Sequence, residues 1–329
     1  MLVPNLLPKV VPYHGSRLLP GLIVRTRGRL VASRSSTARR RPGRPALLAD
    51  SEVITLAILA QWPRFRSERD FWRFAMAHLR EYFPNLCTQG QFNRRVRALE
   101  PEIRALQRAL AEGLAEPSTV YRVLDTTLVP AMVRVRACRE GLFCGQATFG
   151  RSASKTEWVY GLKVALVADP KGVVSAFGLA PAAFDERPIG EALIADDRHE
   201  AYLADKGFAG VEWERRWLED YGVRDTGSRH PEEQRARRAW PEADRRWASS
   251  KRQIIEEVIA QLKDFFGLER HRAKTMGGLL TRLAAQVAAY TVLDHKNGRN
   301  AWRILSLGEL RSRALDRGTF GGRDGKHGR

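Results

Sequence analysis

Three carboxylates and two bases carry most of the chemistry that this sequence offers. Glu256 stands between Arg252 and Lys263. At about 100° per residue on a helix, both bases fall within roughly 40° of Glu256, whereas Glu257 is turned about 100° away. A helix presenting an acid between two bases suits a site that holds cations and phosphates together, the carboxylate binding metal and the bases clamping a polyanion. On a purely solvated helix the same residues would amount to an i,i+4 pair worth roughly 0.3–0.5 kcal/mol. Ile254, Val258, Leu262 and Phe265 are expected to form the opposite, apolar stripe. Asp125 and Asp205 each end a short β-prone run, residues 120–124 and 202–204. Strand C-terminal ends are where α/β sheets hold reactive groups. Either aspartate alone is more often a helix cap or turn former, so it is Glu256 with its bases that gives the set its meaning.

Several elements must position these residues. Asp50 or Ser51 caps a helix carrying Val53, Ile54, Leu56, Ala57, Leu59 and Ala60. Ser67 with Asp70 resembles a capping box, Thr88 with Gln91 is a proper one, and Pro101 opens a further helix. Residues 47–116 therefore read as an all-helical unit. Its third helix carries Arg94, Arg95 and Arg97, residue types that bind phosphates or base edges, or else form a solvated basic face. Near Pro117 the pattern changes to strands. Residues 161–167 and 173–179, joined by Asp169-Pro170-Lys171-Gly172, predict a hairpin. Residues 230–250 read as a loop or exposed helix, 251–268 as an amphipathic helix, and 279–293 as an apolar one.

Charge narrows the partners. The chain has 329 residues, 43% of them hydrophobic, and 56 Lys and Arg against 37 Asp and Glu, a net charge of +19. That is enough apolar content for a core, with an electric field that recruits polyanions, nucleic acid first. Residues 1–46 hold ten basic residues and no acidic one, and their prolines break any helix. We read them as a basic, disordered arm that touches DNA phosphates or is an unselected extension, and residues 297–329 as a basic tail. The three cysteines, Cys87, Cys138 and Cys144, form no C-x-x-C pair, which argues against a zinc site or disulfide scaffold. No apolar stretch reaches the roughly 18 residues of a spanning helix, so no membrane partner is expected.

The spacing Arg252-x3-Glu256-x6-Lys263 resembles the R-x3-E-x6-K part of the signature of DDE-type insertion-sequence transposases, the Y-x2-R-x3-E-x6-K branch. The segments DSEVITLAIL from Asp50, GRSASKTEWVYG from Gly150, AYLADKGF from Ala201 and LERHRAKTMGGLL from Leu268 are similar to that family in the same order. Two positions depart from its pattern. Ser249 stands where the signature has Tyr, and Thr126 to Val129 separate Asp125 from Pro130, where the family has a small residue and Pro.

The resemblance implies an RNase H-like α/β catalytic domain over 117–296, a mixed sheet flanked by helices, behind an N-terminal helical DNA-binding region. It implies Asp125, Asp205 and Glu256 as catalytic, metal-binding residues for two Mg²⁺, Mn²⁺ being a substitute, with Arg252 and Lys263 on phosphates. The activity implied is endonucleolytic cleavage at element ends, then 3′-hydroxyl strand transfer into target DNA, in a homodimeric synaptic complex. The expected setting is the bacterial cytoplasm, with nucleoid association when DNA is bound. A DNA-binding protein of the same fold that has lost catalysis, whether decayed or domesticated, is the alternative. The sequence has no Walker A, G-x-G-x-x-G or H-E-x-x-H motif. His271 is expected to lie exposed between helices, and Trp158, Trp213, Trp217 and Trp247 to serve core or interface packing.

Overall fold

The computed structural model describes residues 46–62, 65–115, 118–133, 137, 142–152, 157–225 and 242–293. The basic arm before residue 46, residues 230–241, Cys138 and the tail from 297 lie outside them.

Among the described residues four helices come first: α1 (Asp50–Leu59), α2 (Glu68–His78), α3 (Gln89–Ala98) and α4 (Glu100–Leu114). Their starts follow the expected side-chain chemistry with one shift. Ser67 accepts from the Asp70 N–H, and Thr88 with Gln91 forms a full capping box. The cap of α1 is Ala49, one residue earlier than expected, with its N–H donated to the Glu52 carboxylate. Asp50 is thereby freed to pair with Arg95 across to α3. Helix α1 is buried on nearly all sides, as a helix apolar all round must be.

Strands follow: β1 (Arg122–Pro130), β2 (Thr148–Ser152), β3 (Glu157–Ala168) and β4 (Val174–Pro181), then α5 (Glu186–Asp196), β5 (Ala201–Ala204), α6 (Val211–Tyr221) and the short β6 (Arg224–Asp225). The sheet runs in the order β2-β3-β1-β5-β6, with β4 also paired to β3. Strands β1 to β4 pair antiparallel, while β5 joins β1, and β6 joins β5, in parallel. The β3–β4 hairpin is the expected one, and Asp169 Oδ1 closes its turn by accepting from the N–H groups of Lys171 and Val173. Strands β2 and β6, and the extension of β1 through Pro130, were not legible in the alternation.

Two long helices complete the fold, α7 (Glu242–Asp264) and α8 (Met276–Leu293). Helix α7 starts nine residues before the expected 251 and ends four before 268. It packs on β1, β5 and β3, and α8 packs on α4 and α1. Val258 and Leu262 are buried as expected, but the stripe runs on through Ile255, Ile259 and, past the end of α7, Phe266, in place of Ile254 and Phe265, the latter 45% exposed. The correct stripe is rotated from the expected one, so Arg252, Glu256 and Lys263 flank the packed face instead of opposing it. One continuous core links α1 to α4, the sheet, α7 and α8. The switch from helices to strands is therefore a change of architecture within one core. The mixed sheet flanked by helices is the arrangement of an RNase H-like domain. Among the described residues no helix is long and apolar enough to cross a membrane.

Candidate active site

Register brings the two aspartates together. Leu124 in β1 pairs with Ala204 in the parallel β5, so Asp125 and Asp205, the next residue of each chain segment, sit side by side. Adjacent strands lie about 4.8 Å apart. The expectation that both close a strand holds for Asp205 alone. Asp125 lies within β1, because that strand continues to Pro130 against β3. Both aspartates line a cleft of about 640 Å³.

Charge in this cleft is mixed. The Asp125 carboxyl is pushed up to about 6, chiefly by burial. The Thr126 N–H and Arg252 pull it down, and Asp205 and Glu186 push it further up. Arg252 Nη1 lies 3.2 Å from Asp205 Oδ1, while its Nε is buried with no hydrogen-bond partner among the described residues. Lys263, three turns along α7 from Arg252, reaches the same cleft and pairs with Glu269 at 3.1 Å. Glu256 lies between them on the helix, is exposed, and is not among the residues lining the cleft. Among the described residues no group of three or more His, Cys, Asp or Glu side chains is arranged to hold a metal. The structure thus brings together Asp125, Asp205, Arg252 and Lys263, and leaves Glu256 beside them.

Several cleft residues escaped the sequence reading. Glu186, at the start of α5, accepts from Thr126 Oγ1 at 2.7 Å and from Lys163 Nζ at 3.0 Å. Gly207 makes room for it, since a Cβ there would stand 1.9 Å from Glu186 Oε2. Lys163 could have been noticed as the one charge within the apolar run 161–167, but nothing local singles out Glu186. Trp158 is 51% exposed and lines the cleft, so it does not serve the core, whereas Trp217 is fully buried as expected.

Two further expectations change. His271 is buried at 3% exposure. Ala273 N–H donates to its Nδ1, which leaves the proton on Nε2, and Nε2 donates to the Pro130 carbonyl. Burial pushes its pKa down, and nearby Arg282 adds to this. Of the three arginines on α3, Arg94 and Arg97 are exposed. Arg95 is engaged with Asp50 at 2.6 Å and ties α3 to α1.

The donor set of the cleft is oxygen throughout, which suits a hard divalent cation. Asp125 is the point where such a cation would relieve repulsion from Asp205 and Glu186. The residues therefore fit a divalent ion held first by the two aspartates. Among curated proteins, none matches the sequence. A family model described as the transposase DDE domain matches residues 124–292, more than half of the chain and the span that contains the whole cleft chemistry. The chain belongs to the family of transposases with a DDE domain.

Proposed function

We propose that this transposase cuts DNA at the ends of a mobile element in a metal-dependent reaction and transfers the freed 3′-hydroxyl into target DNA. In this reading it belongs to the R-x3-E-x6-K branch of insertion-sequence transposases, with Asp125, Asp205 and Glu256 as the metal-holding carboxylates. The observation that carries it is the parallel register that sets Asp125 beside Asp205, under a helix delivering Arg252 and Lys263.

Two Mg²⁺ ions, or Mn²⁺ in their place, would supply charge neutralisation at the nonbridging oxygens and an activated attacking oxygen. The chain's own residues do the rest. Asp125 and Asp205 present fixed oxygens from adjacent strands, which need no reorganisation to meet a cation. Glu256, on α7 beside the cleft, would have to turn its carboxylate inward to complete the set once the ions and DNA are bound. Arg252, held at Asp205, and Lys263, in the cleft, offer their positive charges to the phosphates on either side of the scissile bond. Arg94 and Arg97 hold the duplex away from the cleft, with Arg95 keeping their helix in place. The acting form is a homodimer bridging two element ends, in the bacterial nucleoid.

The test is nicking of a supercoiled plasmid carrying the element ends, with Mg²⁺ or with EDTA. Asp125→Asn and Glu256→Gln should lose more than the roughly 10–100-fold that a change outside the metal sphere costs, while keeping DNA affinity. Glu257→Gln should be mild. Cleavage in EDTA, or an active Asp125→Asn variant, would sink the reading. An inactive Glu257→Gln beside an active Glu256→Gln would move the third carboxylate to Glu257.

A further inference from the structure

A second groove, of about 470 Å³, lies between the end of α1 and the turn that joins α7 to α8. It shares Lys263 and Glu269 with the cleft, so the two lie side by side along the end of α7. Its walls carry Arg66, Arg270 and Arg272, all exposed and without an ion-pair partner among the described residues. Arg282 also lines it but is engaged by Glu68 at 2.6 Å. Phe265, just past the end of α7 and 45% exposed, lines the same groove.

We propose that this groove takes a single strand of DNA as it leaves the cleft, its phosphates on Arg66, Arg270 and Arg272 and a base on Phe265. The inference rests on the reading of the cleft as the cleavage site. Cations interleaved with an exposed aromatic face are the composition that binds unpaired nucleotides, charge tracking the backbone and the ring accepting any base.

Two local features set the arginines in place. His271 is buried between Arg270 and Arg272, and its bond to the Pro130 carbonyl pins that turn to the end of β1, the strand of Asp125. Arg272 has φ of 55°, a left-handed conformation that a residue with a Cβ adopts at a cost. Glycine would fit there better on backbone grounds.

The experiment measures binding of the full-length protein to a fluorescein-labelled oligothymidine strand, by anisotropy across a salt series. A hairpin-capped duplex is run in parallel. Each phosphate contact on a single strand contributes about 0.7 to the slope of log affinity against log salt. The combined Arg66→Ala, Arg270→Ala, Arg272→Gly variant should therefore flatten the slope by about 2 and weaken binding of the single strand at least ten-fold. Phe265→Ala should weaken it about ten-fold with the slope unchanged, because stacking carries no counterions. Arg272→Gly alone should melt at or above the wild-type temperature while losing affinity, an outcome that a merely structural arginine would not give. Wild-type affinity and slope in the combined variant would overturn the inference, as would equal weakening for the duplex. Loss of the slope difference with nicking intact refutes the groove alone, whereas metal-independent nicking with the slope difference intact refutes only the reading of the cleft.

Discussion

Gly161→Ala should deform the cleft without touching any of its charged residues. A Cβ at Gly161 would stand 2.1 Å from Val129 O and 3.0 Å from Ala131 N and the Pro130 Cα, all of them backbone atoms. Ordinary contact begins at 3.4 Å, so β1 must retreat from β3 by about 1.3 Å. No side chain can rotate to absorb the shift. The neighbouring bond from Ala131 N–H to Tyr160 O, at 2.9 Å, would then be lost. One backbone hydrogen bond at about 1 kcal/mol, plus about 1–3 kcal/mol of overpacking, gives a destabilisation of about 2–4 kcal/mol. Urea unfolding followed by the fluorescence of the eight tryptophans should show a midpoint lower by about 1 M or more, at the usual urea slopes of about 1–3 kcal/mol/M. Gly90→Ala is the control, since its Cβ meets nothing within 4 Å and it lies in a helix, where alanine is favoured by about 1 kcal/mol. A Gly161→Ala midpoint within about 0.3 M of wild type would refute the argument that backbone crowding sets this corner of the cleft.

Two further outcomes concern buried charge. Because the folded-state pKa of His271 is lowered, the unfolded chain takes up this proton first as pH falls. Its contribution to stability is therefore complete above the unfolded value of about 6.5 and declines below it. His271→Gln should unfold with a shallower loss of urea midpoint between pH 7 and pH 5 than wild type, and equal slopes would contradict the buried, neutral assignment. Arg95→Ala should cost about 1–2 kcal/mol, because it removes the 2.6 Å ion pair with an Asp50 side chain that is only 12% exposed, whereas Arg94→Ala should stay within about 0.5 kcal/mol. Urea midpoints compare the two directly, and equal losses would mean that the Asp50–Arg95 pair does not join α1 to α3.

The sequence by itself determined what local chemistry determines. Thr88 with Gln91 marks the start of α3 because a cap and its reciprocal partner lie three residues apart. The Asp169 turn marks the hairpin because one side chain satisfies two backbone N–H groups. The order of motifs from Asp125 to Lys263 indicated the family, and the periodicity of α7 put Arg252, Glu256 and Lys263 on one side of it. What the tertiary structure decided depends on partners distant in the chain. The extension of β1 past Asp125 requires β3 as its ladder, and no alternation within 126–130 announces it. The buried stripe of α7 is selected by the sheet beneath it, since Ile254 and Ile255 are equally apolar in isolation. Glu186 enters the cleft only because Thr126, Lys163 and the missing Cβ of Gly207 receive it from three separate segments. His271 lies among arginines in sequence yet is buried, because the Pro130 carbonyl, 141 residues away, accepts its proton. The adjacency of Asp125 and Asp205 is a matter of register between parallel strands, a relation that exists only after the intervening hairpin and helix have folded back across the sheet.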